Sequence, residues 1–441
     1  MEVTVPLAHS ATPETVSSAR PATEIPSRRA ARVRYIGVDL ARFLAIVGMM
    51  ATHLLVAGPS AEPGSPEFVA TDITQVVAAG TSAALFAVLG GVSMVLAARR
   101  RIAEGRTGAA IGAIAVRALI VILIGLLLGG IVSPVVVVLA YYGVAMLLVA
   151  PLIAAPGWLL ASIALVLGIA SGPLNALARQ GLGVVNEGGS VNFELLGADP
   201  LSALRAVLLT GEYPAVTWAV YLIVGILAAR ALVAATARGS LARVAGTVAA
   251  SGAVLATVAQ LVSAWALANR GLLGATPVPG IDEQLLAQLL TAPTFGAPFG
   301  PELWAQLIAT PHSGSPLDLA RTIGIALAVI GLLVLVFDAL LGARRPGPVL
   351  GTIRAAGAAP LTVYTLHIVA TGLTLGSLVE HPELMTAGVP WWSLGLGAFG
   401  LQLAGVLAIG AVLAALGRRG PLEAITSGAV NLLVRSGRSP R

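Results

Sequence analysis

Apolar runs long enough to cross a bilayer follow one another along most of the chain, at roughly 36–57, 76–98, 109–131, 134–152, 157–172, 214–236, 244–268, 319–342, 357–378 and 392–416. A hydrocarbon core of ~30 Å takes about 20 helical residues to span. Within it, only helices and closed barrels satisfy their own backbone polar groups. The runs therefore predict an all-α polytopic membrane protein of about ten transmembrane helices, of which 157–172 is the shortest. Two polar stretches rich in Gly and Pro, roughly 173–213 and 269–318, are expected as long extracytoplasmic loops, of a length usually associated with function. The first 34 residues lack an apolar core and do not read as a cleavable signal peptide. The expected organisation is a disordered tail at 1–34, a membrane domain at 35–420 and a basic C-terminal tail at 421–441.

Composition narrows the function. The chain is 57% hydrophobic and only 10% charged, against about 25% charged residues in soluble domains, which excludes an ordinary soluble enzyme. Cys is absent, so disulfides, thiolate metal sites and Cys nucleophiles are excluded as well. With 5 His and 20 acidic residues, no metal site is expected. Lys is also absent, so the net charge of +6 rests on Arg. Arg20, Arg28, Arg29, Arg32, Arg34, Arg99, Arg100, Arg101, Arg106, Arg230, Arg238, Arg243, Arg344, Arg345, Arg354 and the C-terminal arginines all fall on one side of a ten-span threading. The positive-inside rule makes that side cytoplasmic, with both termini on it. The excess thus reads as an orientation signal and not as a nucleic-acid footprint. Trp218, Trp265, Trp304, Trp391 and Trp392 fall near outer span ends, where amphipathic rings sit.

Ionisable groups inside spans are costly and by default mark function. In the first span, Asp39, Arg42 and His53 share one helix face, and the stripe extends about 21 Å along the axis. It lines either a polar path or an interfacial ion pair with a separate outer-end histidine. In the ninth span, His367 follows Thr362, Tyr364 and Thr365, and a mid-membrane imidazole must find a partner or water. It is either catalytic or part of an interhelical network. Arg117, about two turns inside the third span, either snorkels to the headgroups or binds an anion. With Arg99 and Arg354 it makes the cytoplasmic mouth basic. His312, in the turn Pro311-His312-Ser313-Gly314, is read as a base, a substrate contact or a solvated loop residue. Asp338 is expected to pair with Arg344 or Arg345, and Tyr141 and Tyr142 to pack.

Several stretches resemble a known family. Val33-Arg34-Tyr35-Ile36-Gly37-Val38-Asp39-Leu40-Ala41-Arg42-Phe43-Leu44-Ala45-Ile46-Val47-Gly48-Met49 and Gly80-Thr81-Ser82-Ala83-Ala84-Leu85-Phe86-Ala87-Val88-Leu89-Gly90-Gly91-Val92-Ser93 resemble the first two spans of bacterial proteins similar to heparan-alpha-glucosaminide N-acetyltransferase. Tyr213-Pro214 with Trp218 and Tyr221, the Pro311 to Gly314 turn, the Pro360 to His367 run and Arg419-Gly420-Pro421-Leu422-Glu423 are similar to pieces of actinobacterial members. The resemblance implies a transmembrane acyltransferase that carries an acetyl group from cytosolic acetyl-CoA to a hydroxyl or amine across the membrane. The family's proposed catalytic His lies in the loop after the first span, whereas residues 58–75 here hold no His and His53 is the nearest substitute. Thr81 stands where relatives often carry Arg. His367 matches a His in the family's late span.

The resulting expectation is a multi-pass protein of the bacterial plasma membrane that moves an acetyl or other short acyl group from acyl-CoA to an envelope glycan or glycolipid. His53 and His367 are the expected catalytic residues. Asp39, Arg42, Ser82, His312 and Tyr364 are expected to bind the acceptor, and Arg117, Arg99 and Arg354 the donor. The alternative is a transporter or flippase of an envelope precursor without group chemistry, since a fold does not fix function.

Overall fold

The structure, a computed structural model, describes residues 1–2, 34–56, 62–184, 187, 189–276, 280–342, 347–381 and 389–435. The N-terminal stretch through Arg34 is a separate unit from Tyr35–Arg441. The expectations placed on residues 3–33, including His9, and on Arg344 and Arg345 lie outside the described residues. Among those described, the chain is helical and has no strand.

The first half comprises α1 (Ile36–Leu54), α2 (Pro66–Val77), α3 (Thr81–Ala103), α4 (Thr107–Leu128), α5 (Leu139–Val149) and α6 (Gly157–Leu182). Two short helices, α7 (Phe193–Ala198) and α8 (Pro200–Arg205), then lead into α9 (Ala215–Ala237) and α10 (Leu241–Ala268). After α11 (Glu283–Thr291) and α12 (Leu303–Gln306) come α13 (Pro316–Val334), α14 (Pro348–Gly357), α15 (Pro360–Glu380), α16 (Gly395–Leu416) and α17 (Pro421–Arg435).

Every predicted run contains a helix, but among the described residues eight are by themselves long and apolar enough to span: α1, α3, α4, α6, α9, α10, α13 with its π-helical extension to Leu340, and α16. A ninth is formed by α14 and α15 together, bent by 78°. The remaining run, 134–152, yields only the short α5 and a 3₁₀ turn over Ala150–Ala154. The shortest predicted span, 157–172, instead continues to Leu182, taking in residues assigned to a loop. The C-terminal stretch at 421–435 is helical and amphipathic: Thr426 and Val430 are buried while Ile425, Leu432 and Leu433 are exposed.

Burial sorts these helices into a centre and a periphery. From Thr81 to Val92, α3 is buried around its whole circumference, and α9 is nearly so. They touch backbone to backbone at Gly91 and Gly225, where a Cβ on either would overlap the carbonyl of Leu222 or Val88 respectively. Small residues permit such approach in a membrane, where packing rather than hydrophobicity joins helices. The outer helices α6, α10 and α16 expose Leu165, Val166 and Ile169, Val254, Val258 and Leu261, and Leu401, Val412 and Leu416, as lipid-facing surfaces do. Trp265, Trp391 and Trp392 are exposed, but Trp218 is buried against Tyr213 and Tyr221 and is a packing residue. Tyr141 and Tyr142 are buried.

The expected pairing of Asp338 with Arg344 or Arg345 lies outside the described residues, but Asp338 has a second set of partners. Its carboxylate accepts the backbone N–H groups of Ile36 (2.7 Å) and Gly37 (2.9 Å), capping the start of α1. No side chain of Tyr35 does so, and the exposed helix N-terminus favours an anion.

Candidate active site

His53 lies in the last turn of α1 and His367 in the second turn of α15. Their rings are nearly parallel, 4° apart with centroids at 5.2 Å, and His53 Nδ1 is 2.8 Å from His367 Nε2. On its far side, His367 Nδ1 is 2.5 Å from Gln402 Oε1. The amide nitrogen of Gln402 donates to Thr371 Oγ1 at 3.3 Å. His367 is buried within this network, whereas His53 opens on a chamber of about 470 Å³. Thr52, Ser82, Glu212, Tyr213, Tyr364 and His312 share that lining. Gly48 on α1 leaves the room that the Ser82 hydroxyl occupies.

His312 is neither solvated nor free to turn. Its Nε2 accepts the backbone N–H of Gly80 at 3.0 Å, just ahead of α3. Its ring stacks on Phe295 at 5.3 Å and meets Tyr213 edge-on at 6.1 Å. Its backbone is left-handed, φ 61°, as is that of Phe295, φ 44°, a conformation uncommon outside Gly. The two residues face each other through Thr294 N–H to the Pro311 carbonyl and Gly296 N–H to the His312 carbonyl. Burial, aided by the Arg321 cation, holds His312 down at about 4 from an ordinary 6.5. Nε2 is committed as an acceptor, so in the neutral ring Nδ1 carries the hydrogen. The neutral ring then offers a donor at Nδ1 and no free basic nitrogen. Glu212, the carboxylate in the lining, is pushed up by burial and partly offset by the Gly189 N–H it accepts.

A second chamber of about 300 Å³ is lined by Arg42, Ser93, Arg117, Tyr142, Arg419 and Glu423 among polar residues. Its walls are otherwise apolar, with Phe86, Met94, Ile114, Val121, Leu139 and Met146. Arg42 is held by Asp39 Oδ1 at 2.7 Å and donates to Ser93 Oγ at 3.0 Å. The floor is α17, seated by a reciprocal cap. Glu423 accepts Leu361 N–H at 2.7 Å, Thr362 N–H at 3.2 Å and the Thr362 hydroxyl at 2.6 Å, while Leu422 N–H donates to that hydroxyl at 3.1 Å.

The two chambers lie end to end along α3. Ser82 and Ala83 face the first, and Phe86, Gly90 and Ser93 the second. Val138 and Leu139 face opposite chambers, as do Tyr364 and Leu361. The wall between them is tied by Val138 N–H donating to the Tyr364 hydroxyl at 3.3 Å and by the Phe86 ring against Tyr142 at 5.6 Å.

Of the residues singled out by sequence, His53, Ser82, His312 and Tyr364 converge on the first chamber, with His367 directly behind His53. Arg42 and Arg117 meet in the second. The first-span stripe is thus divided: Asp39 is buried against Arg42 and reaches neither chamber lining. Arg99 and Arg354 are also outside both linings. Sequence reasoning passed over Gln402, Glu212, Phe295, Ser93 and the chamber-lining role of Arg419. Gln402 carried a signal, being the one polar side chain between Gly395 and Leu416.

Residues 34–262 match the family described as heparan-alpha-glucosaminide N-acetyltransferase, catalytic. The matched segment carries Asp39, Arg42, His53, Ser82, Arg99 and Arg117; His312, Arg354, Tyr364 and His367 follow it. No curated protein matches the chain. A match over more than half of the residues, on an all-helical membrane scaffold with paired imidazoles at a chamber floor, makes this chain a member of the heparan-alpha-glucosaminide N-acetyltransferase family of membrane acetyltransferases.

Proposed function

We propose that the protein transfers an acetyl or other short acyl group from acyl-CoA, bound at the arginine-lined chamber, to a hydroxyl or amine presented in the histidine-lined chamber. The observation that carries this reading is the end-to-end pair of chambers, one basic and one floored by an imidazole pair. In this reading the arginine side is cytoplasmic, as the positive-inside rule favours, the membrane is a bacterial plasma membrane, and the acceptor is an envelope glycan or glycolipid on the other side. Arg42, Arg117 and Arg419 offer guanidinium forks to donor phosphates, and the apolar wall suits the uncharged remainder of the donor.

His53 acts as general base, taking the proton of the acceptor hydroxyl or amine as that group attacks the thioester carbonyl. The C–S bond breaks, the thiolate leaves, and the proton passes to it, giving free CoA and the acylated acceptor. The donor Nδ1–H of His312 and the hydroxyls of Tyr364 and Ser82 hold the acceptor. Gly80 N–H is already taken by His312, so it is not a free oxyanion donor.

The test is turnover of radiolabelled acetyl-CoA by the purified protein in nanodiscs with an envelope extract as acceptor. CoA release and acceptor labelling that disappear in His53→Ala support the reading. Failure of the folded wild type to bind acetyl-CoA or longer acyl-CoAs overturns it in favour of a carrier without group chemistry.

A further inference from the structure

Gln402 stands alone as a polar side chain on α16, a helix whose remaining residues face lipid or pack through apolar atoms. Polar groups on such helices are retained for a partner or a function, and Gln402 has a definite one. Its Oε1 is 2.5 Å from His367 Nδ1, and its amide nitrogen is directed to Thr371 Oγ1, a fully buried group. An amide oxygen has lone pairs and no hydrogen, so His367 Nδ1 is the donor of that bond. A neutral imidazole has one donor and one acceptor nitrogen, which leaves His367 Nε2 as an acceptor. The atom it accepts from is His53 Nδ1, at 2.8 Å. His53 Nδ1 therefore carries its hydrogen, and His53 Nε2 is left with a bare lone pair.

We propose that Gln402 is a positioning residue for acyl transfer: through His367 it fixes the tautomer of His53, so that the basic Nε2 is the nitrogen available to the acceptor. The inference rests on the acyl-transfer reading above and assigns distinct roles to the two histidines. His53 takes the acceptor's proton at Nε2. The resulting imidazolium keeps donating from Nδ1 to His367 Nε2, while His367 stays neutral and continues to donate to Gln402. The proton then leaves His53 for the departing thiolate, which restores the starting state. A neutral amide fixes the tautomer without placing a net charge in the membrane, which a carboxylate at this position would do. The other titratable groups facing this chamber are His312, Glu212, Tyr213 and Tyr364. None of them bonds to the pair.

The experiment compares wild type, Gln402→Leu and Gln402→Glu in lipid. Solid-state nitrogen NMR of ¹⁵N-histidine-labelled protein near neutral pH gives the tautomers, with the His53 signals identified by their loss in His53→Asn. Acetyl-CoA turnover is measured on the same samples. In wild type, His53 is expected to show protonated Nδ1 and bare Nε2. In Gln402→Leu the two tautomers mix and kcat falls by about tenfold or more with KM little changed, whereas Gln402→Glu, which keeps an acceptor oxygen but can bring a charge, keeps His367 Nδ1 protonated and turns over more slowly than wild type. A hydrogen on His53 Nε2 in wild type overturns the proposal. So does a Gln402→Leu variant that keeps both tautomer and rate. Turnover that needs His53 but not Gln402 defeats the positioning role alone. A wild type that shows the Gln402-dependent tautomer but no acyl transfer defeats the parent reading, and the catalytic role of Gln402 with it.

Discussion

Replacing His312 with Asn removes a titrating ring while keeping a side chain that tolerates the left-handed backbone at this position. In the folded protein His312 protonates at about 4, against an ordinary 6.5. Protonation would turn Nε2 from an acceptor into a second donor facing Gly80 N–H, close to the Arg321 cation. Between those two values the unfolded chain binds a proton that the folded chain refuses. The stability tied to neutral His312 is therefore complete above about pH 6.5, falls as pH falls, and is fully lost by about pH 4. At about 1.4 kcal/mol per pH unit the whole gap amounts to about 3 kcal/mol. Thermal unfolding in detergent, followed from pH 7 down to about 4, should show wild type losing a few degrees more than His312→Asn across this window, given on the order of 2 °C per kcal/mol for a chain of this size. The other titrating groups are common to both proteins and cancel in the difference. Parallel decline of the two curves would refute the buried, neutral assignment of His312.

Three further outcomes test the scaffold and the second chamber. Gly225→Ala places a methyl against the Val88 carbonyl at the α3–α9 crossing; a loss of about 1–3 kcal/mol is expected, read as a lowered midpoint, and an unchanged midpoint would show that the crossing can open. Glu423→Ala removes the acceptors for Leu361 and Thr362 N–H at the start of α15, which should destabilise by about 1 kcal/mol and weaken acetyl-CoA binding through a displaced α17; retained binding would free α17 from the donor site. Arg117→Ala and Arg419→Ala should each raise the KM for acetyl-CoA by roughly tenfold while kcat changes little, as loss of one charge-assisted hydrogen bond does, and wild-type binding should weaken with added salt.

How much of this was legible in the chain follows from the range of the interactions involved. Hydrophobic runs report on residues one turn apart, and they located a helix in every predicted span. They overestimated the 134–152 run because its start is decided elsewhere. Val137 N–H is held by the Ser190 hydroxyl and Val138 N–H by the Tyr364 hydroxyl, so the chain stays out of the helix until Leu139. No local pattern encodes partners 53 and 226 positions away. The run 357–378 was read as one continuous span, whereas the chain breaks at Ala358 and Ala359, as Pro360 disfavours a helical conformation in the residue before it.

The site divides along the same line. The cost of a polar group in hydrocarbon singled out Asp39, Arg42, His53 and His367 individually. What it could not supply was pairing: His53 and His367 are 314 positions apart, and their contact exists only because α1 and α15 pack beside each other. The same principle applied evenly would also have selected Gln402, which was passed over because it carries no charge. A neutral amide is nevertheless the group best suited to the place. It supplies an acceptor oxygen to His367 and a donor to Thr371 without bringing an ion into the membrane. In a bundle where the charged arginines gather in one chamber and the imidazoles in another, an uncharged residue can fix which nitrogen of His53 faces the acceptor while leaving the proton balance of the chamber unaltered.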